Sequence, residues 1–146
     1  KELNTNNLDI KINDINNNNF SGGIAVNVGN PHVVFFVNNI EDFEIERIGP
    51  EIETQPLFPE KCNVTLATVI NKGLIKVKVW ERGAGLTKAC GTAACATAFA
   101  AKQNRLVDNK VDIEFLTGSL IISIDEKNSI HMKGPVSDIE EINFKI

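Results

Sequence analysis

The sequence predicts an α+β fold in which a strand-rich, barrel-like sheet wraps around one central apolar helix. Many short segments alternate apolar and polar residues, which is the period of a half-buried strand. One segment, residues 91–104, has the pattern of a helix whose first turns carry no charge on any face, so we expect it to be buried all round. A helix of that kind needs apolar walls on several sides, and a curled sheet supplies them.

The predicted strands alternate in hydropathy or form short apolar runs, and turn-forming residues separate them. In chain order they are residues 8–13, 24–28, 32–37, 62–71, 74–80, 111–116, 120–125, 129–133 and 142–146. The fourth and fifth strands flank Lys72 and Gly73, which predicts a hairpin. The third is apolar throughout, which predicts a strand buried on both faces.

Two segments have helical patterns. Within residues 42–55, Gly49 and Pro50 divide the segment, so we expect only the part after Pro50 to be helical, with proline in its first turn. The second helix, residues 91–104, has Lys102 and Arg105 at its carboxyl end, where cations favourably oppose the helix dipole. No internal repeat or linker divides the chain, so we expect one domain.

Composition excludes several classes of protein. The chain has 146 residues and a net charge of −4, and no basic cluster indicates a nucleic-acid partner. Its longest weakly polar stretch, residues 89–101, is too short and too rich in alanine to span a bilayer. Three cysteines argue against a disulfide framework, so we expect a reducing, cytoplasmic setting. The polar amino end predicts no signal peptide. Because the first residue is not Met, we expect the chain to be part of a longer protein.

Cys90 is the strongest candidate for chemistry. It lies at the start of the predicted apolar helix, where the positive end of the helix dipole favours the thiolate. The free N–H groups of Gly91, Thr92 and Ala93 could receive an anion such as a carboxylate. A free cysteine is commonly a buried, inert thiol, but the helix start and the following Gly-Thr favour a functional one here. A reactive sulfur beside a carboxylate site indicates chemistry on the α-carbon of a carboxylic acid.

The other thiols have simpler interpretations. Cys95 lies five residues after Cys90, and at about 100° per residue it points well away and should be core. Cys62 starts a strand and has no local activator. Neither His32 nor His131 is near these cysteines in sequence, so we expect no metal site.

Three further residues are candidates on weaker grounds. His32 follows Asn30 and Pro31 at a strand start, a position where histidine is more often structural than catalytic. Glu81 and Arg82 lie at a strand end before a glycine-rich loop. Such a pair is commonly a solvated strand end. The functional alternative is an acid that governs proton transfer and a guanidinium that holds a second carboxylate.

Four motifs in order resemble those of the diaminopimelate epimerase family, whose members are amino-acid epimerases that need no pyridoxal phosphate or other cofactor. They are residues 29–32 (GNPH), 58–64 (FPEKCNV), 81–85 (ERGAG) and 89–96 (ACGTAACA), and MKGP at 132–135 also fits. Each motif alone is modest, whereas the four together in this order are highly specific. The resemblance spans the chain from Gly29 onward.

The resemblance implies two pseudo-symmetric halves, each a barrel-like sheet around a central helix, with the active site between them. Each half gives one cysteine; one removes the α-proton as thiolate and the other delivers a proton to the opposite face. Residues 1–146 would then be a single domain, the C-terminal half, without the N-terminal half that carries the second cysteine. The implied partners are the small-molecule substrate diaminopimelate and that missing half, and a homodimer of the full enzyme stays open.

The resemblance also implies a reaction, the interconversion of LL- and meso-diaminopimelate in the supply of lysine and peptidoglycan precursors. Cys90 would be one of the two acid/base cysteines. Gly91 and Thr92 would hold the reacting α-carboxylate through backbone N–H groups. His32 and Glu81 would tune the proton state of the thiols, with Glu81 also contacting the substrate. The isolated chain is expected to be inactive.

The far end of the substrate has its own implied contacts. Arg82 would bind the distal carboxylate, and Asn30 and Asn63 would help to fix that end. Two residues depart from the family's pattern, since Leu86 stands where the family usually has an acid and Ala93 replaces a usual glycine. We expect both departures to affect loop geometry rather than an implied role.

Two alternatives remain at the level of sequence. The first is a related two-cysteine isomerase of a smaller, proline-like acid, against which Arg82 argues because it would need a second carboxylate. The second is a hydrolase that uses Cys90 and His32, which would need a hydrogen bond between them and an oxyanion site. Deuterium entering a substrate α-carbon would indicate an isomerase, whereas a covalent acyl-enzyme would indicate the hydrolase.

Overall fold

The computed structural model describes residues 5–134 and the backbone of residues 141–144. In these residues ten strands form one mixed sheet, and two α-helices pack on it. The strands are β1 (Thr5–Asn13), β2 (Asn19–Asn27), β3 (Pro31–Phe36), β4 (Asn63–Asn71), β5 (Leu74–Glu81), β6 (Gly85–Thr87), β7 (Lys110–Phe115), β8 (Gly118–Ile124), β9 (Ile130–Lys133) and β10 (Glu141–Phe144). The helices are α1 (Ile45–Glu53) and α2 (Gly91–Gln103).

The sheet is mostly antiparallel, in the order β1-β2-β3-β4-β5-β7-β8-β9-β10, with β6 paired to β5. Two neighbouring pairs, β3 with β4 and β5 with β7, are parallel. Parallel neighbours need a long crossover connection, and α1 and α2 lie in these two connections. The start of α2 lies close to the end of β2 and the start of β3, where Asn30 contacts Thr92.

The helix α2 is the centre of the main core, as the sequence predicts. Residues 93–101 are buried without interruption, and α2 contacts six strands, β2, β3, β4, β7, β8 and β9. Its alanines allow the sheet to approach closely, while Phe99 fills the space that remains. The predicted α+β fold with a sheet wrapped around one apolar helix is confirmed.

The helix α1 corrects one prediction. It begins at Ile45, five residues before Pro50, rather than after the proline. Its apolar face, Ile45, Ile48 and Ile52, is buried in a second core formed with β1, β3 and β4, and that burial outweighs the backbone hydrogen bond that Pro50 cannot make. Gly49 helps, because a residue without Cβ relieves much of the clash that normally precedes proline.

Smaller differences concern strand ends. β2 begins at Asn19 and runs through two glycines with positive φ, Gly22 and Gly23, which the sequence interpretation placed before the strand. β6 was not predicted. Cys62 lies one residue before β4. Of the last predicted strand, residues 142–144 are in β10, whereas residues 145 and 146 lie outside the described residues.

Among the helices the structure describes, none is long and apolar enough to cross a membrane.

Candidate active site

Cys90 is the N-cap residue of α2. Its backbone is extended, with φ −146° and ψ 110°, and its side chain makes no capping hydrogen bond. Its carbonyl accepts the first helical bond, from the N–H of Ala94 at 3.0 Å. Within residues 5–134, the N–H groups of Gly91, Thr92 and Ala93 have no acceptor. The thiol therefore lies half-buried beside three amides and the positive end of the helix dipole, an arrangement suited to an anion.

A chain of polar contacts joins the thiol to a buried histidine. The Cys90 Sγ atom lies 3.4 Å from Thr92 Oγ1, and the Asn30 Nδ2 group donates to the same oxygen at 3.5 Å. On its other side, Asn30 Oδ1 lies 3.1 Å from His32 Nε2. The structure thus brings together four predicted site residues, from the start of β3 and from the first turn of α2.

His32 is neutral near pH 7. It is 1% exposed, and burial, aided by the positive charge of Arg82, lowers its pKa from 6.5 to about 4. Its Nδ1 atom has no partner in the described part of the chain, so the single ring proton is best placed on Nε2, where it donates to Asn30 Oδ1. That bond turns the amide NH₂ of Asn30 toward Thr92.

The buried histidine predicts a pH-dependent stability. The unfolded chain protonates His32 near pH 6.5 and the folded chain only near 4, so stability is lost as pH falls through that window. At about 1.4 kcal/mol per pKa unit the loss reaches about 3 kcal/mol. Unfolding free energies measured by urea titration from pH 7 to 4 should fall more steeply for the parent than for His32→Gln.

The second histidine supplies the control. His131 is partly exposed beside Asp125, so His131→Gln should keep the steep pH dependence of the parent. Equal slopes for the parent and His32→Gln would show that His32 is not buried in its neutral form.

A second group of predicted residues lies on the neighbouring strand. Asn63 is opposite His32 in the parallel β3–β4 pair and is buried. Its Oδ1 atom accepts from the backbone N–H of Arg82 at 2.7 Å, and its Nδ2 group donates to the Pro31 carbonyl at 3.2 Å. Asn63 therefore fixes the start of the turn that carries Arg82. Its predicted contact with a substrate stays a prediction.

The Arg82 side chain is exposed, and its Nη1 group donates to the Glu60 carbonyl at 3.0 Å. In the described residues its other guanidinium N–H groups are free to bind an anion. The carboxylate of Glu81 is half-buried, and within residues 5–134 no hydrogen bond or ion pair joins it to Cys90 or His32. Its predicted role in proton transfer therefore stays a prediction.

The two other thiols are buried. Burial raises the pKa of Cys95 to about 12. It also raises the pKa of Cys62 to about 12, with a further contribution from the nearby Glu53 carboxylate. Both cysteines lie in the core, at 2% and 0% exposed, as the sequence predicts for Cys95.

The difference in burial between Cys90 and the two other cysteines predicts selective alkylation. Limited treatment with iodoacetamide near pH 7.5, followed by peptide mapping, should label Cys90 first, because the thiolate is the nucleophile and only Cys90 is accessible. Faster labelling of Cys62 or Cys95 would contradict the assignment. Labelling after denaturation is the control, since all three thiols should then react alike.

Sequence reasoning missed two residues that shape this region. Glu53, at the end of α1, contacts Trp80 and Gly83. Met132, in β9, lies under the first turn of α2, where a Cβ on Gly91 would come within 3.0 Å of its Cε atom. A side chain at position 91 would therefore require the end of the flexible Met132 side chain to move by a few tenths of an ångström. Only Met132 had a signal in the sequence, through the MKGP motif.

A family model and the curated relatives place most of the chain in the same family. Residues 24–139 match the family model described as diaminopimelate epimerase. The chain is 70% identical over 146 residues to a diaminopimelate epimerase of Pelagibacter ubique, covering all of this chain and 53% of that protein. It is 50% identical over 114 residues to one of Erythrobacter litoralis, covering 78% of this chain and 42% of that protein. The chain thus spans about half the length of the curated relatives it matches.

Two solved structures share the fold. A phenazine biosynthesis protein of the PhzF family from Enterococcus faecalis superposes with a TM-score of 0.55 at 16% identity, covering 72% of this chain and 37% of that chain. A PhzF-family protein from Bacillus anthracis gives 0.53 at 18% identity, covering 90% and 40%. At these identities the likeness is one of fold alone.

Proposed function

The chain belongs to the diaminopimelate epimerase family, and from that premise we propose that it is the Cys90-bearing half of a two-cysteine epimerase that interconverts LL- and meso-diaminopimelate. The observation that carries the proposal is the half-buried Cys90 thiol at the start of α2, beside three N–H groups that have no acceptor within residues 5–134. A carboxylate received by these amides would lie next to the sulfur. Its α-carbon would then be within reach of the thiol.

The chemistry requires this juxtaposition. An α-proton is a poor acid, and its removal leaves a carbanion whose charge spreads onto the adjacent carboxylate. The N–H groups of Gly91 and Thr92, preorganised at the positive end of α2, would stabilise that charge. Cys90 would take the proton as thiolate, or deliver one as thiol, on one face of the α-carbon. Inversion needs a second acid/base group on the opposite face, which the N-terminal half would supply.

The distal carboxylate has a suitable partner in Arg82. Its backbone is held by Asn63, one guanidinium N–H is satisfied by the Glu60 carbonyl, and the rest of the guanidinium is exposed. A planar guanidinium with free N–H groups binds a carboxylate in bidentate fashion. A substrate with two carboxylates therefore suits this site better than a small proline-like acid does.

His32 is assigned an orienting role. It reaches the thiol only through Asn30 and Thr92, so it fixes the direction of the Asn30 amide rather than exchanging a proton with sulfur. The same contacts weaken the hydrolase alternative, which needs a direct hydrogen bond between Cys90 and His32.

The proposal is tested by assembling the two halves. Incubated alone with LL-diaminopimelate, the chain should form no meso product, because it has only one thiol able to face the α-carbon. Addition of a separately produced N-terminal half should restore epimerisation, measured by chiral chromatography. Efficient formation of the meso product by the chain alone, or failure of the assembled halves to form it, would contradict the proposal.

A further inference from the structure

The buried carboxylate of Glu53 accepts a hydrogen bond from the turn that carries Arg82. Glu53 is the last residue of α1 and is 8% exposed. Its Oε1 atom accepts from the backbone N–H of Gly83 at 3.0 Å, and its Oε2 atom accepts from Trp80 Nε1 at 3.1 Å. The two oxygens thus bind two different donors, one at the end of β5 and one in the turn that follows.

The position of Glu53 is unfavourable for the helix itself. A carboxylate in the last turn is repelled by the negative end of the helix dipole. Burying an anion is also costly unless it is hydrogen-bonded. The stability of α1 therefore does not explain this residue. The two N–H donors do, and both belong to the segment that carries Arg82.

We propose that Glu53 is a positioning residue that holds the Arg82–Gly83 turn in the conformation that binds the distal carboxylate, an inference that rests on the proposed function. Arg82 and Gly83 are adjacent, and Gly83 has a φ of +75°. The N–H of Arg82 is held by Asn63 and that of Gly83 by Glu53. Two consecutive amides are thus fixed from two different elements, β4 and α1.

Trp80 makes this support rigid. Its indole lies against Gly49 of α1, where an added Cβ would clash with the indole Cγ atom. It also lies near Gly85, on the far side of the turn, where an added Cβ would lie 3.5 Å from the indole Cη2 atom. The ring is therefore confined between the helix and the β5–β6 turn, with its N–H directed at Glu53.

The ionised form of Glu53 suits this role. The hydrogen bond from Trp80 lowers the pKa of the Glu53 carboxyl against the opposing effect of burial, and the Gly83 N–H, Lys61 and Arg82 lower it further. An ionised carboxylate offers acceptors to both donors at once. A glutamine in its place has one oxygen and one NH₂ group, so one of the two donors would face another donor.

The test compares two substitutions with the same change of charge on the same helix. In the enzyme assembled from both halves, Glu53→Gln should raise KM for diaminopimelate about tenfold, because a misplaced Arg82 weakens binding of the distal carboxylate, with a much smaller change in kcat. Glu51→Gln, at an exposed position of α1, should leave both constants unchanged. Identical kinetics for the two variants would overturn the proposal.

A double variant distinguishes positioning from a general effect on folding. In Trp80→Phe/Glu53→Gln the indole donor is gone and the glutamine oxygen is free to accept from Gly83, so Glu53→Gln should raise KM less in the Trp80→Phe background than in the parent. A purely structural role predicts that the two substitutions add. If Glu53→Gln raised KM by the same factor in the Trp80→Phe background as in the parent, the proposal would be contradicted.

The local claim is also testable without any activity. Hydrogen exchange of the Gly83 amide, followed by NMR in this chain alone, should be about tenfold faster in Glu53→Gln than in the parent, and unchanged in Glu51→Gln. Equal exchange in Glu53→Gln and the parent would overturn the proposal even if the enzyme were active. An inactive parental assembly would instead contradict the proposed function, which separates the two failures.

Discussion

Replacing Cys90 with alanine should lower kcat/KM for epimerisation by the assembled halves by about 10⁴-fold, the upper end of the range for loss of a general acid/base group. Under the proposed function, the thiol is the group at the start of α2 that exchanges a proton with the bound α-carbon. The fold should be intact, because the Cys90 side chain makes no capping hydrogen bond to the helix. Chiral chromatography of product and thermal unfolding of the variant measure the two effects separately.

The matched control is Cys95→Ala, five residues along the same helix. Cys95 is buried in the core, so this variant should lose some stability, about 1 kcal/mol for a small cavity, and retain most of its turnover. If Cys95→Ala were the inactive variant and Cys90→Ala the active one, the assignment of the catalytic thiol would be wrong.

Replacing Ala98 with aspartate should destabilise the chain by several kcal/mol. Ala98 lies in the middle of α2, is 0% exposed and is surrounded by the sheet, so the new carboxylate would be buried without a partner. Urea unfolding followed by the fluorescence of Trp80, the only tryptophan in the chain, gives the free energy of unfolding.

Gln103→Asp is the comparison that isolates burial from charge. Gln103 is the last residue of the same helix and is exposed, so its replacement should change the unfolding free energy by less than about 1 kcal/mol, mainly through the helix dipole. If Ala98→Asp unfolded at the same urea concentration as Gln103→Asp, α2 would not be the buried centre of the sheet.

The central helix could be predicted because its signal is local. A run of small apolar residues that begins at Gly91 and is longer than a typical strand favours a buried helix, and the charge at Lys102 lies close to its end. The first helix could not be placed correctly, because Gly49 and Pro50 indicate a break locally. The burial of Ile45 and Ile48 against distant strands, which favours helix through Pro50, is a tertiary effect.

The site could be predicted to the extent that its residues lie in short motifs. Cys90 and Thr92 share a helix start, and Asn30 and His32 share a strand start. The two pairs are brought together by one contact, between Asn30 and Thr92. Glu53 could not be found in this way. Its two partners, Trp80 and Gly83, lie 27 and 30 residues further along the chain, and nothing in the sequence around Glu53 marks it as different from the other acids of α1.

The central claim is that Cys90 serves one face of the α-carbon only. It is tested most directly by incubating the assembled enzyme carrying Cys90→Ala in deuterated buffer with each diaminopimelate stereoisomer in turn, and following the α-proton by NMR. The account predicts that one isomer, whose α-proton faces the remaining cysteine, exchanges slowly without inverting, while the other does not exchange. Exchange of both isomers at equal rates, or continued formation of the opposite isomer, would contradict it.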